Sequence, residues 1–400
     1  MRVLVPNHFP LEGSGSGIYT QNVARELVKK GHRAMTICPD HEVRGGYPFE
    51  VRTILFTADE GSAPAQGRLP FNFPCFTTHP GSMTTFGDLD EVQRAAYVSA
   101  FERAIGDAVE DWKPDLIHAQ HLWVTGYAAS RTGVPFVATA HGTDLMGFRR
   151  YPAWRALALE GTRKADAVIA ISHQVAADAM ALYDIPPARM RLIFNGFDES
   201  IFHPMTVDRA QVLRGFGLTG TPRAIVVFVG KLTAFKGVDV LLEAACAYEP
   251  ALGEVMTLIV GDGELRDQLP AQAADLGLAD VHFLGQHPQP QVARLLNAAD
   301  VSVVPSRVEP FGLVAVEALA CGLPVVATNA GGLPDFIDDR VGWLVEVGDS
   351  DQLASAIIAA IERDAKAHKG PVAASFARQR FSWSKKVDEM IGVYREALAG

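Results

Sequence analysis

A chain of 400 residues exceeds one ordinary domain and points to two. With 48% apolar and 20% charged residues it reads as a globular protein with a large core, which excludes a disordered or low-complexity chain. A net charge of −10 argues against nucleic acid as the main partner.

Residues 1–6 form an apolar run of strand length, too short for a signal peptide, and no apolar stretch reaches membrane-spanning length. Cys38, Cys75, Cys246 and Cys321 are scattered, with no Cys-x-x-Cys pair. They read as reduced thiols, so the expected location is cytoplasmic.

Residues 1–200 alternate short β-rich runs with helical patterns, as a parallel sheet covered by helices requires. Residues 3–5 make the first strand, and Gly13 to Gly17 follow before a helix at about 18–30. The glycine spacing fails the dinucleotide fingerprint because Ile18 stands at the last glycine position. Two readings remain: a plain strand–helix turn, or a loop whose Gly15, Ser16 and Gly17 amides face a ligand. Residues 34–38, 115–118, 135–140 and 167–171 are later strands. His141 directly follows one of them, where an imidazole is either structural or positioned to donate to a hydroxyl. His118 and His121 share that ambiguity.

Residues 59–88, rich in Pro, Gly, Thr and Phe, break the rhythm. Asp88 and Asp90 precede a long helical pattern, so helix capping outweighs a metal-binding Asp-x-Asp, and Asp349 with Asp351 reads alike. No catalytic metal is expected. Cations and aromatics cluster over 148–164. A solvated helix face and a weak peripheral contact with an anionic membrane surface both fit.

A stretch at about 203–222 reads as the linker, and a second alternating set follows. Its strands end in glycines, Gly230 and Gly261 among them, as expected where ligands approach strand carboxyl ends. Lys231 and Lys236 stand on the loop bounded by Gly230 and Gly237, and two cations there suit a diphosphate. Leu313 to Ala320 is an apolar helix interrupted only by Glu317 and stopped by Gly322 and Pro324. A carboxylate there is costly unless something hydrogen-bonds it. Glu309 lies just before the helix start, where Phe311, Gly312 and Leu313 would turn amides outward. Acceptor, amide cluster and acceptor match the hydroxyl, diphosphate and hydroxyl of a sugar nucleotide.

These motifs make the chain similar to the family-four retaining glycosyltransferases of the GT-B fold. The hallmark is Glu-x7-Glu, here Glu309 to Glu317, followed by the run to Pro324. The glycine-rich first loop, His141 to Asp144, Asn195 to Asp198, the Lys236–Gly237 loop, Gly261 to Gly263 and Phe381 to Trp383 appear in the family's order. The resemblance implies an α/β architecture of two facing Rossmann-like domains with a cleft between them. An acceptor-side domain would span 1–200, completed by a helix at 380–400, and a nucleotide-sugar domain 205–379.

It further implies that Glu317 holds the ribose, Glu309 the transferred sugar, Lys231 and Lys236 the diphosphate, and His141 the donor sugar. Gly15 to Gly17 would approach phosphate or acceptor. Lys231 departs from the family's usual Arg and loses the bidentate fork. The reaction so implied is metal-independent, front-face transfer with retention, without a cofactor. UDP-sugar is the favoured donor and GDP-sugar the second, by analogy alone. The acceptor, whether glycan, lipid-linked or small molecule, stays open. A sugar-nucleotide epimerase and a non-catalytic sensor are the alternatives.

Overall fold

Near-continuous apolar runs such as 224–229 and 255–260 bury both faces of a strand, and such strands belong in parallel sheets under helices. The computed structural model describes residues 1–58, 67–76 and 79–400. By its internal contacts the chain divides into one unit of Met1–Asn195 with Trp383–Gly400, and another of Gly196–Ser382.

In the first unit, strands β1 (Arg2–Pro6), β2 (Arg33–Asp40), β3 (Glu50–Leu55), β4 (Leu116–Gln120), β5 (Phe136–Ala140), β6 (Ala167–Ala170) and β7 (Met190–Leu192) pair in the order 3-2-1-4-5-6-7. In the second, β8 (Ala224–Val229), β9 (Val255–Val260), β10 (Val281–Gly285), β11 (Val301–Val304), β12 (Val325–Thr328) and β13 (Gly342–Val345) pair in the order 10-9-8-11-12-13. All of these pairings are parallel. Each sheet reverses its winding once, between β1 and β4 and between β8 and β11, and such a switch point opens a crevice at the strand carboxyl ends.

Local chemistry explains the boundaries. The first helix runs Gly15–Lys29 and starts three residues earlier than the apolar pattern suggests, because the Ser14 side chain caps it by accepting from the Gly17 amide. Asp90 opens Glu91–Asp111 with a full capping box through Gln93, and Asp349 caps Ser350–Glu362. Two edge strands, β3 and β13, escape the sequence pattern: no residue of β3 is fully buried, and in β13 only Gly342 and Val345 are. The helix Ala365–Phe381 escapes it too, since Pro371 interrupts its sequence.

Part of the irregular 59–88 segment, residues 59–66 and 77–78, lies outside the described residues. What is described is packed: Phe71, Phe73, Phe76 and Phe86 are buried, and Phe76 meets Phe86 at 4.8 Å between ring centroids. Aromatic burial fixes this stretch without regular secondary structure.

Candidate functional site

The second unit's switch point brings two loops together. β8 and β11 are neighbours, with Val301 opposite Val226. The loop after β8 folds into a short 3-10 turn, Ala234–Lys236, and the loop after β11 carries Glu309. Lys236 Nζ lies 2.6 Å from Glu309 Oε2, which also accepts from Ser306 Oγ at 3.0 Å. Gly237 lets the loops approach: its φ is +66°, and a Cβ there would sit 2.0 Å from the Pro305 carbonyl oxygen. Lys231, on the same loop, is exposed.

The helix Leu313–Ala320 starts from Gly312, whose left-handed φ of 99° turns the chain into it. The Gly312 and Leu313 amides donate to no group among the described residues, as expected at a helix start. Phe311 is buried against Phe336, centroids 5.2 Å apart. Within the helix, Glu317 is 7% exposed, and its carboxylate takes no hydrogen bond from the described residues. Burial raises its pKa to about 8.

Gly230 and Gly261 contribute space rather than amides. The Gly230 amide donates to Val260 O and the Gly261 amide to Gly285 O, which extends the sheet. Gly261 adopts φ +147°, and a Cβ on it would meet Gly230 O at 1.7 Å.

In the first unit, the expectation for Gly15 to Gly17 needs correction. Gly17 is buried and its amide is spent on the Ser14 cap, so it presents nothing to a ligand. Gly15 and Ser16 keep amides that donate to nothing among the described residues, on the first turn of a helix rather than a flexible loop.

His141 also differs from expectation in its chemistry. Gln120 Nε2 donates to His118 O, which turns Gln120 Oε1 toward His141 Nε2 at 2.9 Å. His141 Nε2–H therefore donates to Gln120, and the neutral ring offers Nδ1 as an acceptor. Burial lowers its pKa to about 3, so it is neutral. The Asp144 carboxylate holds its backbone by accepting from the His141 and Leu122 amides. His118 is structural, between Tyr394 Oη and Thr139 Oγ1, each at 2.7 Å. His121 takes a left-handed φ of 72°, and neither of its buried ring nitrogens has a partner among the described residues.

The basic cluster at 148–164 is largely engaged within the fold. Arg149 pairs with Asp178, Lys164 with Glu160, and Arg155 donates to the Phe148 and Arg149 carbonyls. Among the described residues no helix is long and apolar enough to cross a membrane, and no three His, Cys, Asp or Glu side chains gather as a metal site.

Two doubly wound units, with strand ends carrying a Lys–Glu pair and a helix carboxylate that has no hydrogen-bond partner among the described residues, place the chain in the GT-B class. Sucrose-phosphate synthase from Thermosynechococcus elongatus superposes with a TM-score of 0.76 at 23% identity, covering 100% of this chain and 99% of its own. HepE of Anabaena, solved with UDP and glucose, superposes at 0.75 and 24% identity, covering 98% and 99%. The family model described as Glycosyltransferase Family 4 matches residues 13–201, and the model for Glycosyl transferases group 1 matches 214–372. A D-inositol 3-phosphate glycosyltransferase of Acidothermus cellulolyticus is 33% identical over 97% of this chain and 87% of its own length. Another, from Mycobacteroides abscessus, is 34% identical over 78% of this chain and 74% of its own. The chain belongs to glycosyltransferase family four and is a glycosyltransferase.

Proposed function

We propose that the chain transfers a sugar from a nucleotide diphosphate sugar, UDP-sugar in the first instance, to an acceptor hydroxyl with retention at the anomeric carbon. The observation that carries this reading is Glu317: a buried carboxylate with no partner in its own helix, beyond a helix start whose Gly312 and Leu313 amides donate to no group among the described residues. Vicinal hydroxyls of a ribose would satisfy that carboxylate, and the Gly312 and Leu313 amides would face the diphosphate. Lys236 and Lys231 would balance charge on the leaving diphosphate, which takes the acceptor proton on the same face of the sugar. Glu309 would hold the transferred sugar, and in the first unit His141 Nδ1 would accept from a substrate hydroxyl.

In this reading the two lysines carry the charge that a divalent cation supplies in other transferases. The UDP preference is supported by the UDP named with HepE, and an inositol phosphate acceptor by the relatives' names.

A thermal-shift panel of UDP-, GDP- and ADP-sugars tests the donor, because a ligand of the folded state alone raises the melting temperature. The UDP-sugar is expected to give the largest rise. A larger rise with GDP- or ADP-sugar changes the base, and none with any of them sinks the reading. Acceptors then follow in a panel of neutral sugars, inositol and inositol 3-phosphate, with the product's anomeric configuration read by NMR.

A further inference from the structure

The loops that carry Lys236 and Glu309 are tied by one arginine. Arg307 Nη1 and Nη2 donate to Asp239 Oδ1 and Oδ2, both at 2.7 Å. Nη1 also donates to Ala234 O at 3.0 Å. The Arg307 and Val308 amides donate to Phe235 O at 2.7 and 3.3 Å. Every one of these acceptors lies within three residues of Lys236. Arg307 itself stands between Ser306, whose hydroxyl donates to Glu309, and Glu309.

The Arg307 and Asp239 side chains are 37% and 33% exposed. A pair so open to water adds little to stability, so its consequence is geometric. A planar fork on a carboxylate fixes distance and orientation together, which a lysine would not. We infer that Arg307, with Asp239, is a positioning residue: it sets the spacing between Lys236 and Glu309 and so the diphosphate subsite. The inference rests on the donor-site reading above. A displacement of about 1 Å in such a site costs up to about a hundredfold.

The test is a double-mutant cycle read as UDP affinity by calorimetry, which needs no acceptor. Its members are wild type, Arg307→Ala, Lys236→Ala and the double variant. Arg340→Ala is the control, because Arg340 forks onto Asp338 two residues away and joins no separate loops. Arg307→Ala is expected to weaken UDP by about tenfold or more, yet by less than about threefold once Lys236 is alanine, since coupled residues are not additive. Its melting temperature should stay within about 4 °C of wild type. Arg307→Lys should fall between, and Arg340→Ala should match wild type. Wild-type affinity in Arg307→Ala, or an equal loss in both backgrounds, overturns the inference. A wild-type chain that binds no UDP overturns the UDP-site reading instead, so the two failures are separable.

Discussion

Lys236 Nζ sits 2.6 Å from Glu309 Oε2, and 73 residues of chain separate the two. The ammonium on the loop after β8 and the carboxylate on the loop after β11 therefore hold each other across the switch point. Glu309→Gln should lower kcat by about 10²-fold or more while the fold survives, because a neutral amide still fills the space. Lys236→Ala should cost as much activity and also lower the melting temperature, since it strips the ammonium from a carboxylate only 10% exposed. Steady-state kinetics with circular-dichroism melts checks both. Turnover near wild type in the two variants would remove them from the mechanism.

Glu317 supplies a pH signature. Its folded pKa, about 8, lies above the ordinary 4.5. The folded state therefore binds this proton more tightly than the unfolded state. That contribution is complete below about 4.5 and is lost as pH rises through about 8. Wild type should lose melting temperature across that window, and Glu317→Gln should not share this loss. Hydroxyls donating to the carboxylate favour its charged form, so UDP binding near pH 7 should expel a proton. Calorimetry in buffers of different ionisation enthalpy reads that proton, and Glu317→Gln should abolish it.

Gln120 fixes which nitrogen of His141 faces outward. Gln120→Leu should lower donor kcat/KM by about tenfold while leaving the melting temperature within a few degrees. His141→Asn, which keeps an acceptor, should retain more activity than His141→Ala. With a pKa near 3, His141 should contribute no ionisation to a pH–rate profile between pH 5 and 9. A limb in that range that vanishes in His141→Asn would refute its neutrality.

Gly237 tests the loop approach. Gly237→Ala places a methyl group against Pro305 O at a left-handed φ, and strain of that kind costs on the order of 2 kcal/mol. Urea denaturation should show the loss, and UDP affinity should fall with it because the Lys236 turn must move. Gly277→Ala shares the positive φ but meets nothing within 4 Å, so it should destabilise with no loss of UDP affinity.

Several features were settled by residues close together in the sequence. The apolar strand runs, the Asp90 and Asp349 caps and the helix from Leu313 to Ala320 each depend on hydrogen bonds and periodicity spanning a few positions. So does the conflict at Glu317, because an apolar helix around a carboxylate is visible without any fold. The motifs carried the family for the same reason: their chemistry is written in short runs.

The tertiary structure decided what depends on distant partners. The sheet order made neighbours of β8 and β11 and so joined Lys236 to Glu309 and Arg307 to Asp239. It placed His118 between Tyr394 and Thr139, turned His141 into an acceptor through Gln120, and left the two ring nitrogens of His121 with no partner among the described residues. The Ser14 cap, though local, shows the same limit, since the pattern gave the helix but not which amide it would consume. Local sequence fixes which groups are polar and which segments are helical. Only the packed sheet determines whether each polar group spends its hydrogen bonds inside the protein or keeps them for a ligand.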